Sequence, residues 1–261
     1  AFHGLASVIG SRSVYPLVAL PLAHTLAETL RFSFPFGGVP LASLAISQSS
    51  SPLVGIVRIG GPLLLTFCVF QIGFSLSQLV VAPKRRHLAF FVILIALLIG
   101  IGSFAPHGAN TGETRMIAAV QGGGPQGTLA INTNPRDVVE RHLAATRTIT
   151  SSNLDMVIWP ENVIDVDDFY DSTERVEVAE QAARLNAPFV VGITEDMNAQ
   201  YFTNAQVVVN VDGTLGDRYD KVRRVPFGEF VPLRGLLKTL GAPVDRIPRD
   251  ALAGSDIAQL R

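Results

Sequence analysis

The sequence predicts a membrane-embedded helical segment followed by an α/β domain. Three observations carry that expectation. Only 16% of the 261 residues are charged, well below the roughly 25% of an average soluble domain. Residues 1–104 carry few acids and long apolar runs, while residues 113–261 hold most of the charge. The second part also alternates short apolar runs with amphipathic ones, the order of strands and helices in a layered α/β domain.

The apolar segments come first. Val14–Leu30, Pro62–Ala82 and Leu88–Phe104 are each near the roughly 20 residues that a spanning helix needs. Pro16 and Pro21 interrupt the first, and neighbouring helices can absorb such breaks. Between the second and third lies "PKRRH", residues 83–87. Lys84, Arg85 and Arg86 assign that loop to the cytoplasm, so the chain after Phe104 is expected on the outer side. "FSFPFGGVPLASLAISQ", within residues 32–59, is too apolar for an ordinary loop and is expected to dip into the interface or pack over the spans. Three apolar segments without a cleavage pattern do not read as a signal peptide. Ala1 reads as a point within a longer chain. His24 and Glu28 lie four apart on the first segment, beside Arg31. An intramembrane functional site and snorkelling with local pairing both stay open there.

The domain over residues 113–261 begins with a buried strand, Arg115–Gln121. A helix follows, entered at Asn134 with Pro135 in its first position. Met156–Trp159 is the next strand and Glu174–Asn186 the next helix, with Val176, Ala179, Ala182, Ala183 and Leu185 as its apolar face. Pro188–Ile193 and Ala205–Val211 are further strands, and "VDGT" is a hairpin-like turn. The pattern implies a mixed sheet covered by helices. "WPE", residues 159–161, falls at the carboxyl end of a strand, where α/β sheets place their functional groups.

Composition excludes several classes. The net charge of −1 argues against a broad nucleic-acid surface. The single cysteine, Cys68, excludes an internal disulfide and any CxxC site, and within an apolar segment it reads as an inert packing residue. No metal-ligand cluster and no G-x-S-x-G elbow occur. "GGGPQG", residues 122–127, matches G-x-G-x-x-G formally, but Pro125 and the polar stretch to Asn134 part it from the helix it would open, so it reads as a turn. Leu233, Leu236, Leu237 and Leu240 form an i, i+3, i+4, i+7 stripe. A core helix and an interfacial arm touching lipid both stay open.

"RYDKVRRVPFGEFVPLRG", residues 218–235, sets Lys221 and Glu229 on either side of "VPFG". With "WPE" and "NAQVVVNVDGTLGDRYDK" this pattern resembles the nitrilase superfamily. Joined to the apolar segments, and to "AETLRFSFPFGGVPLASLAISQ", it resembles the apolipoprotein N-acyltransferase family from about Leu26 to about Leu237. The resemblance implies an α-β-β-α sandwich for the second domain, truncated at its C-terminal side. It implies Glu161 as general base, Lys221 as the cation that stabilises an oxyanion, and Glu229 as the carboxylate that orients the lysine or a substrate amine. It implies a nucleophilic cysteine after a later strand. None lies in residues 221–261, so that residue is expected beyond Arg261.

The implied activity is acyl transfer from a phospholipid to the diacylglyceryl-cysteine α-amine of an apolipoprotein, in a multi-pass bacterial cell-membrane protein with its domain outside. No cofactor, metal or nucleic-acid partner is implied. Two alternatives remain at this point. One is a membrane-anchored amidase or nitrilase in which water resolves the acyl-enzyme. The other is a catalytically inactive scaffold that binds lipid.

Overall fold

The computed structural model describes residues 2–36, 38, 42–81, 85–109, 111–124, 134–151 and 153–260. Lys84 of the basic loop, part of the glycine-rich turn after residue 124 and part of the apolar stretch near residue 40 lie outside the described residues. The chain divides into two compact units, Ala1–Thr111 and Gly112–Arg261.

The first unit is helical, with α1 (Phe2–Ser11), α2 (Pro16–Arg31), α3 (Val57–Val81) and α4 (Arg85–Phe104). Pro16 starts α2, where a missing N–H costs nothing. α3 is broken at Gly60 and Gly61, the latter at φ 68°, and Pro62 restarts the helix. Gly55 and Gly102 let two backbones meet, because a Cβ at Gly102 would lie 2.5 Å from the Gly55 carbonyl. Among the described residues one helix, Pro52–Gln78, is long and apolar enough to cross a membrane, and Ala89–Phe104 is a shorter apolar helix. Leu5, Ile9, Leu22, Leu26, Ile93 and Leu97 point outward, the pattern of helices whose solvent is apolar.

The second unit is a mixed sheet. Its strands are β1 (Ile117–Ala119), β2 (Met156–Ile158), β3 (Ile164–Val166), β4 (Phe189–Asp196), β5 (Tyr201–Val209), β6 (Leu215–Asp220) and β7 (Asp250–Ala251). Their main order is β1-β2-β4-β5-β6, with β3 also beside β4 and β7 beside β5. β1, β2 and β4 run parallel, and β5 and β6 return antiparallel. The turn at Asp212–Gly213 joins β5 to β6, with Gly213 at φ 80° and Asp212 capping the Thr214 N–H at 3.0 Å.

Two helices cover one sheet face: α5 (Pro135–Arg147) and α6 (Thr173–Leu185). Asn134 caps α5 and Ser172 caps α6 through their side-chain oxygens. Phe189, Val191 and Ile193 of β4 and Ala205, Val207 and Val209 of β5 enter the core with Val139, Leu143, Val178 and Ala182. Trp159 is fully buried there, and its indole N–H donates to Thr146 Oγ1 at 3.0 Å. Its role is packing, and rings buried to that degree are worth on the order of 3–5 kcal/mol. Successive strand residues face opposite sides, so Asn204, one residue out of phase with Ala205, points to the face away from the helices.

β2 and β3 are two halves of one strand parted by a bulge. Trp159 N–H bonds to Val190 O at 2.9 Å and Val163 N–H bonds to Gly192 O at 3.1 Å. Four steps on one strand therefore match two on its neighbour, and Pro160, Glu161 and Asn162 are thrown out of the ladder. Asn162 takes φ 57°, a conformation Asn tolerates better than most residues. Gly192 makes room for the bulge, since a Cβ there would lie 2.3 Å from Pro160 O and 2.6 Å from Glu161 Cα.

Gly192→Ala is therefore expected to destabilise the protein by about 1–3 kcal/mol. Thermal unfolding of the purified protein measures this, and an unchanged midpoint would show that the bulge relaxes freely.

Candidate active site

Four side chains converge on the sheet face opposite the helices. The bulge after β2 carries Glu161. β5 supplies Asn204. Lys221 is the first residue after β6, and its N–H bonds to Asn204 O at 2.8 Å, so the ladder sets its position. Glu229 stands in the 225–231 loop. That loop closes on itself through Phe227 N–H to Phe230 O at 2.8 Å and Glu229 N–H to Val225 O at 2.8 Å, with Phe227 at φ 60°. An ion pair between Arg234 and Asp250 ties the loop to β7, and Asp250 also accepts from Val231 N–H at 2.9 Å. Arg224 covers the Phe230 ring at 4.3 Å.

The contacts form a closed ring. Lys221 Nζ donates to Glu161 Oε1 at 2.7 Å and to Glu229 Oε1 at 2.6 Å. Asn204 Nδ2 donates to the same two oxygens, at 2.7 and 3.1 Å. Two carboxylates thus alternate with two donors. The second oxygen of Glu229 accepts from Val225 N–H at 2.8 Å. The second oxygen of Glu161 accepts no hydrogen bond among the described residues. The Glu161 side chain is 48% exposed, against 14% for Glu229. Glu161 therefore keeps one carboxylate edge open, and Glu229 is anchored on both sides.

Burial pushes the Glu161 carboxyl up. The hydrogen bonds from Lys221 and Asn204, with the ammonium charge, outweigh that and hold it below its ordinary value. Burial likewise lowers Lys221, but its two carboxylate partners win and leave it above its ordinary value. The pair is an ionised carboxylate and an ammonium. A carboxylate in that state can take a proton, and a fixed ammonium can stabilise an oxyanion.

Glu161, Lys221 and Glu229, the three residues singled out in the sequence, are thus brought together. Asn204 was missed, because the apolar run that marks β5 begins one residue later. An asparagine entering a buried strand is the signal that points to it. Cys68 is buried in α3 of the first unit. Among the described residues no group of three His, Cys, Asp or Glu side chains is placed to hold a metal.

A mixed sheet with a carboxylate–lysine–carboxylate constellation beyond its strand ends defines a class. Residues 116–258 match the carbon-nitrogen hydrolase family, and the chain belongs to it. Residues 1–75 match the apolipoprotein N-acyltransferase N-terminal domain. The chain is 30% identical over 233 residues to an apolipoprotein N-acyltransferase of Mycolicibacterium smegmatis, covering 76% of this chain and 39% of the relative. It is 29% identical over 252 residues to one of Vibrio cholerae, covering 93% and 48%. The chain spans less than half the length of these relatives. A solved amidase from Nesterenkonia sp. AN1 superposes with TM-score 0.37 at 11% identity, over 56% of this chain and 51% of that one.

A carboxylate held below its ordinary pKa stabilises the fold above the unfolded value of about 4.3. That contribution is lost as pH falls through the folded value. The thermal midpoint of the natural protein is expected to drop more steeply than that of Glu161→Gln between about pH 5 and 3. Parallel curves would show that the ring does not couple Glu161 to folding.

Proposed function

We propose that the protein takes part in N-acylation of apolipoproteins, with a phospholipid as acyl donor and the α-amine of diacylglyceryl-cysteine as acceptor. The observation that carries this reading is the ring of Glu161, Lys221, Glu229 and Asn204, in a chain whose first 75 residues match an N-acyltransferase domain. Glu161 is the general base, Lys221 the oxyanion stabiliser, and Glu229 the group that holds the lysine. This chemistry requires a thiol, and the one cysteine of these 261 residues, Cys68, is buried in α3.

The steps balance on those groups. Glu161 takes the thiol proton, and the thiolate attacks the ester carbonyl of the donor. The oxyanion that forms is stabilised by Lys221. The lysolipid alkoxide leaves and takes the proton from Glu161, so a thioester remains. The acceptor amine then attacks the thioester, Glu161 removes a proton from nitrogen, and the thiolate departs to leave an amide. Water in place of the amine would make the same site a hydrolase. The membrane setting supports the amine, because both substrates are lipids that leave a bilayer only at high cost.

The location we propose is a bacterial cell membrane, with several spans and the second unit on the outer side. The apolar helix Pro52–Gln78 and the cations Lys84, Arg85 and Arg86 after it support that orientation. The leucine stripe supports contact with lipid. α7 (Arg234–Thr239) buries none of its residues, and Leu233, Leu236 and Leu240 are 61%, 56% and 72% exposed.

Intact mass spectrometry of the natural protein purified with phospholipid tests the chemistry. A hydroxylamine-labile acyl adduct is expected. Its formation should slow about 10²–10⁴-fold in Glu161→Gln and in Lys221→Ala. Wild-type rates in both variants would remove these residues from the mechanism, and release of free fatty acid in place of acylated peptide would favour hydrolysis. For the leucine stripe, the Leu236→Asp, Leu240→Asp double change is expected to weaken association of the second unit with anionic liposomes. A folded variant that binds as before would sink the lipid-contact assignment.

A further inference from the structure

Asn204 has no part in the acyl-transfer steps above, yet it is the one fully buried member of the ring. It sits inside β5, in register with Thr194 of β4, and its carbonyl accepts from Lys221 N–H at 2.8 Å. The neighbouring chain on each side thus fixes its backbone. Glu161 is ionised and only accepts, so the end of the amide that meets it is the NH2 end, which has two hydrogens. One goes to Glu161 Oε1 at 2.7 Å and the other to Glu229 Oε1 at 3.1 Å.

Lys221 also donates to Glu161, but on different terms. Its ammonium stands at the end of a flexible four-carbon stem. It carries three hydrogens. Two go to Glu161 and Glu229, and the third is left for the substrate. As negative charge grows on the substrate oxygen, the ammonium is drawn toward it and its hold on Glu161 loosens. Asn204 carries no charge and is fixed by the ladder, so its hold stays. Glu161 needs that hold, because the Trp159 and Val163 N–H groups bracket a bulge that leaves its own backbone outside the ladder. Among the described residues Oε1 is served by both donors and Oε2 by none.

We propose that Asn204 is a positioning residue for the general base: it pins Glu161 Oε1 throughout the reaction, so that Oε2 is the atom that takes the thiol proton and later the amine proton. This rests on the acyl-transfer reading above and adds no proton to it. When Oε2 is protonated, Oε1 is the carbonyl oxygen of the acid and still accepts from Asn204. The charged groups facing Glu161 are Lys221, after β6, and Glu229, in the 225–231 loop. β4 presents Gly192, and β5 presents Asn204 itself. A donor to Oε1 favours the carboxylate over the acid, and the Asn204 hydrogen bond displaces Glu161 in that direction. Asn204 therefore also keeps the base available to lower pH.

The rate of thioester formation on the natural protein in phospholipid micelles tests this from about pH 4 to 8. Asn204→Leu nearly keeps the size of the side chain and removes both donors. Its plateau rate should fall roughly tenfold, with the half-saturating phospholipid concentration unchanged. The acid limb of its rate profile should move up by about half a pH unit or more. In a Glu161→Gln background the same substitution should slow the reaction no further. Asn204→Ser, which is smaller, gives the same readings where leucine unfolds the protein, and thermal unfolding tells which variant is folded. An unmoved limb in a folded variant, or a full further slowing in Glu161→Gln, would overturn the role of Asn204 and leave acyl transfer standing. No adduct on the natural protein would overturn both.

Discussion

Desolvation of carboxylates is the constraint on which the second unit turns. Burial alone would favour the neutral form of Glu161, which lies beside Glu229 under a loop. Lys221 and Asn204 prevent that by donating to both. The ammonium supplies the charge balance, and the amide supplies hydrogen bonds without adding charge. Removing either donor would leave a carboxylate with a partly unmet acceptor, a cost that a low-dielectric site makes large. The ring is consequently a requirement of burial before it is a device for chemistry, and the ionised state of Glu161 follows from it.

The ring in turn depends on backbone irregularities. Glu161 reaches it because Pro160, Glu161 and Asn162 leave the ladder, and they can leave because residue 192 has no Cβ. Glu229 reaches it because Phe227 accepts a left-handed conformation and the loop closes on itself. Lys221 needs no irregularity, since the β5–β6 register delivers it. Regular secondary structure thus places one cation and one amide, and two exceptions to regular structure place the two acids.

That division explains what could be read from the sequence. Helix α5 was visible through Asn134–Pro135 and α6 through its apolar residues, although the face that enters the core is Val178, Ala182 and Leu185, while Val176 and Ala183 of the expected face are exposed. The turn at Asp212–Gly213 was visible because its residues have few other uses. "WPE" and "VPFGEF" stood out as motifs. Gly192 gave no signal, because a glycine inside the run "FVVGIT" looks like any small core residue, and its function is a backbone contact across the sheet. β3 was missed for the same reason, since "IDV" becomes a strand only because β4 lies beside it. His3 could not be connected with Glu28 from sequence, because the link is a helix-to-helix contact without periodicity.

Two of the polar clusters among the described residues obey one rule. In the second unit two acids meet two donors, and every acceptor is served except the Glu161 oxygen that faces outward. In the first unit Glu28 meets Arg31 and His3, which between them serve both of its oxygens. A closed count fixes the geometry of the groups that share it. The same accounting therefore tells which carboxylate edge stays open, the second oxygen of Glu161 in one cluster and neither oxygen of Glu28 in the other, using only which atoms can donate and which can accept.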